Sequence, residues 1–490
     1  MKTRFIFYIT GFVLCFFSVA MLIPSCMDIF FEENKAAVAF LKTAGVGFII
    51  GMALILKHRF LSKESFQNIS LSAMFMTTSF CWIVISFFCA LPFYWAGFGF
   101  SFTDCLFESV SGITTTGASI LTELSSLTFG LQLWRFMLHW IGGLGVILTA
   151  VLILPSLKTK GMQLFSTETS EIGDKSFPLF SQNIKVLIIS YLSLSLACWF
   201  CLAAADLPIY EALLYTMSII STGGFSLSGD AVQKAFTLYP LFSWVASFFM
   251  IISALPLIGL ILLYNKRTDN LKNDSQIKTF LGILCSFIIF VVVWRLFNEK
   301  ATSVAVIIKE TVFTMSSFAT TTGLFATNYE SWGAPATVLF MLAMTFGGCA
   351  GSTSGGLKSF RVNILFKSFW LNLKSLGKPH SIFTVRFNKE PLSETMFVKV
   401  GGFLSVFLFC LLTFTFLSTL FGADLLTAFS SSLTGLTNTG LGFGKMTGFH
   451  TKLAELPTAV KMIFSVAMLA GRLEFLTFFS LFLPSLWRRG

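Results

Sequence analysis

The chain repeats one short string four times: SGITTTGAS at 111–119, SIISTGGFS at 218–226, SFATTTGLF at 317–325 and TGLTNTGLG at 434–442. Aligned on the glycine that follows the hydroxyl residues, they place Gly117, Gly223, Gly323 and Gly440 at intervals of 106, 100 and 117 residues. Each string closes a segment rich in Ser, Thr and Gly, near 101–113, 208–220, 304–319 and 423–435. Such segments are too short to cross a bilayer core of about 30 Å, which takes about 20 apolar residues. They suit re-entrant half-helices. Asp104, Glu211 and Glu310 stand near the starts of three, and Asp424 a little before the fourth. The positive end of a helix dipole favours an acid there.

Between them lie ten long apolar runs, near 5–25, 36–56, 72–97, 131–155, 183–205, 239–263, 279–297, 335–372, 397–421 and 457–485. Of 490 residues, 55% are hydrophobic and 12% charged, too little polar surface to cover a soluble protein of this size. That excludes a secreted enzyme, a cytosolic enzyme and a disordered chain. The expected fold is an all-α polytopic membrane protein with about ten membrane-spanning helices and four re-entrant half-helices. Four covalently linked helix–pore loop–helix units surround one pore. The boundaries are 1–66 for an N-terminal helix hairpin, then 67–160, 161–272, 273–390 (with a broken inner helix) and 391–490 for the four units. The basic start and LIPSC (22–26) loosely resemble a signal or lipidation sequence; the length of the run favours a retained helix.

Lys and Arg set the orientation. With the N-terminus in the cytoplasm, the inner segments hold Lys57, Arg59 and Lys63; Lys158, Lys160, Lys175 and Lys185; Lys266, Arg267, Lys272 and Lys278; a run from Lys358 to Lys399; and Arg488 and Arg489. The outer segment 118–130 has Glu123 and no Lys or Arg. Both termini are then cytoplasmic, and the +11 net charge needs no nucleic-acid partner. The ten Cys sit mostly singly in apolar runs, and His58, His139, His380 and His450 are far apart, so no zinc site is expected.

Irregular backbone at membrane depth is tolerated only inside protein or around water. Four such loops can converge on one axis, where carbonyl oxygens replace the water shell of a cation. Gly reaches unusual backbone angles and allows close approach, and Thr hydroxyls add oxygens or brace the loop. The candidate filter residues are Thr115, Thr116 and Gly117; Ser221, Thr222 and Gly223; Thr321, Thr322 and Gly323; and Asn438, Thr439 and Gly440. No carboxylate stands among them, which suits an alkali cation rather than a divalent one.

The four-unit pattern resembles the Trk/Ktr/HKT superfamily of cation transporters, over about 70–486. TTTGAS and STGGFS are similar to the family's first two filters, GGCAGSTSGG (347–356) to its glycine-rich intramembrane loop, and AGRLEFLT (470–477) to its fourth inner helix with a pore-facing Arg. The extra hairpin before residue 60 is typical of the TrkH branch. TNTGLGF is a departure at the fourth filter. The resemblance implies potassium as transported substrate, Gly in all four filters being associated with potassium preference. It also implies a homodimer and a cytosolic nucleotide-binding (TrkA-like) regulatory subunit, for which 156–186 and 358–399 are plausible docking surfaces. No organic cofactor is expected in this chain.

Gly347, Gly348, Gly351, Gly355 and Gly356, with Ser352, Thr353 and Ser354, break the eighth apolar run, each Gly costing a helix interior about 1 kcal/mol. They read either as a close-packing kink or as a mobile gate beneath the filter. Arg472, in an apolar helix, needs either a salt bridge to another helix or a water-filled cavity. In the latter case it is a cationic barrier in the pore. Lys358 and Arg361 read as inner-side anchors or as groups that sense the pore. Trp134, Arg135 and Trp140 read as interfacial anchors, and Lys309 with Glu310 as an outer-surface ion pair. Potassium uptake driven by membrane potential is the expected function. The alternative is a secondary symporter coupled to protons or sodium, with Glu474 its main candidate acid. No nucleotide-binding or hydrolase motif points to an enzyme.

Overall fold

The computed structural model describes residues 2–58, 71–121, 124–153, 176–257, 259, 274–299, 301–377, 386–388, 390–391, 394–449 and 453–484. The described residues are mostly helical. One short antiparallel pairing, β1 (Arg386–Phe387) with β2 (Glu390–Pro391), is the only sheet among the described residues. Much of the basic inner sequence, including Lys158, Lys266, Arg267 and Arg488, lies outside them.

Three helices precede the repeats: α1 (Lys2–Ala20), α2 (Leu22–Phe30) and α3 (Asn34–His58). The first repeat is α4 (Leu71–Trp95), α5 (Phe102–Ile113) and α6 (Phe129–Ile153). The second is α7 (Ser176–Ala203), α8 (Ile209–Ile220), α9 (Ala231–Leu238) and α10 (Phe242–Ser253). The third is α11 (Ser275–Asn298), α12 (Val304–Ala319), α13 (Ala334–Phe346) and α14 (Ser359–Gly377). The fourth is α15 (Glu394–Leu420), α16 (Leu425–Thr437), α17 (Thr458–Arg472) and α18 (Phe475–Phe479). Long helix, short helix, loop and second helix thus recur four times.

By length and composition, six described helices can cross a membrane: Thr3–Phe30, Asn34–His58, Ala73–Trp95, Ile184–Ala203, Ser275–Asn298 and Met396–Leu420. The remaining expected spans are the second helices of the repeats. α6 continues to Ile153, at the edge of the described residues. The other three are interrupted, two of them against expectation. The run 239–263 stops at Ser253, ahead of Pro256, which cannot donate a helical hydrogen bond. The run 457–485 stops at Arg472, and Glu474 takes a left-handed φ of 54°. The short helix α9 was not expected; it meets α10 at 117°.

The short helices are capped where their sequences specify. Ser101 accepts from the Asp104 N–H at 3.2 Å, Ser303 from Val306 at 3.4 Å and Asp424 from Thr427 at 3.2 Å. Glu310 lies in the second turn of α12 rather than at its start.

The chain packs as two compact bodies, 1–142 with 223–231 and 414–490, and 143–222 with 232–413. In the first, α1 lies on α3 so closely that a β-carbon on Gly11 would meet the Gly51 carbonyl oxygen at 2.7 Å. Small residues give such helix contacts in apolar surroundings. Asp28 in α2 accepts the Gly130 N–H at 2.7 Å, fixing the start of α6. α17 packs on α5 and α16. In the second body α12 packs on α10 through Phe313 against Phe242, and Phe313 also meets Phe236 of α9. Phe360, Ile364, Phe387 and Val400 form a cluster joining α14, β1 and α15.

Candidate ion-selectivity site

Each short helix ends in the same backbone manoeuvre. Thr115, Thr222, Thr321 and Asn438 take left-handed φ values of 52°, 52°, 56° and 53°. Two residues on, Gly117, Gly224, Gly323 and Gly440 have φ of 84°, 86°, 79° and 74°. The second loop therefore corrects the sequence alignment: the glycine equivalent to Gly117 is Gly224, and Gly223 matches Thr116, Thr322 and Thr439. Of the two consecutive glycines, the sequence alignment took the first, Gly223. Left-handed β-branched residues cost about 1–3 kcal/mol each and gather where structure serves function. Asn suits the conformation better than Thr, which rationalises Asn438 as the departure in the fourth loop.

Of the residues that begin the manoeuvre, Ser221 is among the sequence candidates, whereas Thr114, Thr320 and Thr437 were not singled out. Thr114, Ser221, Thr320 and Thr437 turn their hydroxyls back onto the carbonyls of Val110, Met217, Ser316 and Leu433, at 2.7, 2.7, 2.7 and 2.9 Å. In three loops this hydroxyl also meets that of the residue two on: Thr114 with Thr116 at 2.8 Å, Thr320 with Thr322 at 2.7 Å, and Thr437 with Thr439 at 2.9 Å. The hydroxyl at this position in all four strings was the available signal.

The first body brings together the first loop, Gly223 and Gly224 of the second, and the fourth. A β-carbon on Gly117 would lie 2.1 Å from the Gly223 carbonyl oxygen, and one on Gly440 2.1 Å from that of Thr116. Asn438 donates through Nδ2 to Thr116 Oγ1 at 3.0 Å and to the Met468 carbonyl at 2.9 Å. Backbone carbonyls of the second and first loops thus pass within van der Waals distance of Gly117 and Gly440.

Behind these loops, Glu108 and Arg135 form a fully buried ion pair at 2.7 Å, both side chains 0% exposed. Arg135 is therefore not an interfacial anchor, and neither is Trp134, which is buried and donates to the Cys89 carbonyl at 3.3 Å. Glu108 accepts from Ser119 Oγ at 3.0 Å and the Ile120 N–H at 3.3 Å, and Arg135 donates to the Ser226 carbonyl at 3.2 Å. The pair holds the strands leaving the first and second loops. In the second body Glu310 pairs with Arg295 at 2.7 Å, whereas Lys309 donates to the Phe236 carbonyl at 2.9 Å. Arg295 replaces the expected Lys309 partner.

The second body also brings Ile220, at the end of α8, and the third loop together with the glycine-rich segment. Gly347, Gly351 and Gly356 have φ of 65°, 77° and 77°, so the break is an Ω-shaped loop rather than a kink. Its neck is closed: Leu357 N–H donates to the Thr345 carbonyl at 2.9 Å and Ser359 N–H to that of Gly348 at 2.8 Å. Gly347 approaches Gly355 so closely that a β-carbon would sit 2.3 Å from its carbonyl oxygen. The loop also reaches the third Thr/Gly string: Gly355 N–H donates to Thr321 Oγ1 at 2.6 Å. Thr353 Oγ1 bonds the carbonyls of Ile220 at 3.1 Å and Ser253 at 3.2 Å. Ser352 Oγ donates to the Cys349 carbonyl at 2.6 Å, and Ser354 Oγ accepts the Gly348 N–H at 2.9 Å. Lys358 folds back onto the Ser354 carbonyl, and Arg361 lies 3.8 Å over Phe403. Arg472 ends α17 in the first body and is 6% exposed. Its neighbour Gly471 abuts the Leu436 carbonyl, 2.3 Å from a β-carbon, which puts the end of α17 beside the end of α16.

These features define a polytopic α-helical membrane protein of four helix–loop–helix repeats whose loops share one backbone register. Residues 42–488 match the TrkH family, described as cation transport protein, and the chain belongs to that family. It is 35% identical over 416 residues to the Trk system potassium uptake protein TrkI of Halomonas elongata, covering 85% of this chain and 84% of that one. It is 32% identical over 492 residues to the Trk system potassium uptake protein TrkH of Escherichia coli K12, covering both in full. The crystal structure of the potassium transporter TrkH from Vibrio parahaemolyticus superposes with a TM-score of 0.89 at 28% identity, again covering both chains in full.

Proposed function

We propose that this protein carries potassium into the cell across the bacterial inner membrane, with both termini cytoplasmic. The four Thr/Gly loops, from units 67–160, 161–272, 273–390 and 391–490, surround one pore and select the ion. The observation that carries this reading is the shared backbone register, a left-handed residue followed two positions later by a positive-φ glycine, at 115/117, 222/224, 321/323 and 438/440. Backbone of that form is able to present carbonyl oxygens to an ion, and oxygen ligands of that kind suit a dehydrated alkali cation. The names of the relatives support potassium. The preceding short helices add the partial negative charge of their C-terminal ends.

The glycine-rich loop and Arg472 act as the gate. The loop's contact with Thr321 favours a plug beneath the filter, and a fixed positive charge at Arg472 repels a resident cation. A membrane potential, inside negative, supplies about 2.3 kcal/mol per charge per 100 mV, enough for accumulation without ATP. The protein works as a homodimer with a cytosolic nucleotide-binding subunit.

The test is uptake by purified protein in liposomes under an inside-negative potential at equal pH. Potassium entry exceeding sodium entry, without proton movement, and raised by Arg472→Ala, is expected. Entry that requires a proton or sodium gradient in both proteins would replace this reading with a symporter.

A further inference from the structure

Three loops use a threonine hydroxyl pair to hold the chain between the left-handed residue and the glycine. The second cannot, because its equivalent position is Gly223. That space is filled from α6: a β-carbon on Gly223 would sit 2.2 Å from His139 Cδ2. The imidazole is fully buried and stacks on Phe225, ring centroids 4.0 Å apart and planes 13° apart. Nδ1 lies 2.7 Å from the Gly112 carbonyl oxygen, so it carries the proton and donates. Nε2 accepts from the Phe225 N–H at 3.3 Å. The ring is therefore held neutral, in one tautomer. Gly112 O also accepts the Thr115 N–H at 3.1 Å. One turn earlier on the same helix, Arg135 lies 4.2 Å over Phe225.

We propose that His139 is a positioning residue for ion selection: it replaces the missing hydroxyl pair of the second loop and ties that loop to the first through Gly112. The inference rests on the four-loop filter reading above. A loop set by one imidazole has its carbonyls placed by that ring, so losing the ring loosens ligand geometry. Loose oxygens discriminate potassium from sodium less well.

The experiment measures potassium and sodium uptake by the full chain in liposomes for His139→Ala, Gly223→Thr, the double variant and Gly323→Ser. Gly323→Ser, in the third loop, tests the filter itself and is expected to lower the potassium-to-sodium ratio. His139→Ala is expected to lower it about threefold or more, as loss of one backbone hydrogen bond allows. Gly223→Thr in the natural background collides with the ring and loses uptake. In the His139→Ala background the new threonine can reach Ser221, and the ratio recovers. A merely structural histidine would not be rescued by a residue in the loop. If Gly323→Ser lowers the ratio while His139→Ala leaves it unchanged, the positioning role is wrong and the filter stands. If Gly323→Ser also leaves it unchanged, the filter reading falls. Should His139→Ala not give monodisperse protein, Gly223→Thr in a His139→Gln background decides. Equal damage from Gly223→Thr in both backgrounds overturns the proposal.

Discussion

A methyl group added at Gly117 or Gly440 meets a neighbouring loop's carbonyl oxygen at 2.1 Å, on a backbone whose φ is 84° or 74°. The left-handed conformation alone costs an alanine about 1–2 kcal/mol, and the overlap adds to it by pushing a carbonyl out of place. Gly117→Ala and Gly440→Ala should therefore lower both thermal stability and the potassium-to-sodium ratio. Gly282→Ala, with open space at its β-carbon inside α11, should leave the ratio unchanged and raise stability by up to about 1 kcal/mol. The buried pair makes a second prediction. Removing only Glu108 or only Arg135 strands a charge, at about 3–5 kcal/mol, whereas Glu108→Gln with Arg135→Met should recover much of that; melting in detergent distinguishes them. The positive-φ glycines at 117, 323 and 440 were legible because glycine and threonine recur in one string, whereas Gly224 was missed because it follows a second glycine. Glu108, Arg135 and His139 were not, because their partners are backbone groups and side chains far away along the chain. His139 bonds carbonyl and amide groups 27 and 86 residues distant, a relation no local spacing encodes.

At the scale of elements, the sequence predicted ten apolar runs, and the long first helices of the repeats follow them closely. The second helices do not. Apolar side chains continue on both sides of each interruption, so hydropathy alone reads one span where the backbone turns aside at Pro256 or Glu474. Only the glycine-rich break announced itself, through the number of its glycines. Thr353 is one tether of that loop, its hydroxyl facing the carbonyls that end α8 and α10. A hydroxyl has one proton, so the two carbonyls share it in a bifurcated bond of about 1 kcal/mol. Thr353→Val keeps the shape and removes that bond, so potassium uptake should rise up to about fivefold at unchanged selectivity. Unchanged uptake would show that the tether does not hold the gate.

For the whole molecule, charge asymmetry predicts which end of each helix meets the cytoplasm, a reading that rests on residues at helix ends. In a chain whose exposed Cys26, Cys201 and Cys285 are replaced by Ser, a membrane-impermeant maleimide should label Glu33→Cys in intact cells. Lys374→Cys should be labelled only after the membrane is opened. The reverse pattern would invert the topology. The fold class was legible because lack of polar surface and a fourfold string are properties of the entire chain. The division into two compact bodies was not, because 223–231 and 414–490 join 1–142 across long stretches of intervening sequence.

The closed neck of the glycine-rich loop separates two mechanical duties. Since the Thr345–Leu357 and Gly348–Ser359 bonds already bring the flanking helices together, the excursion hangs from them as a pendant. Swinging it aside changes the order of a few residues only, and α13 and α14 keep their mutual placement. Scaffold rigidity and loop compliance are governed by different bonds, so substitutions at 349–354 can retune how readily the passage clears without softening the frame that carries it.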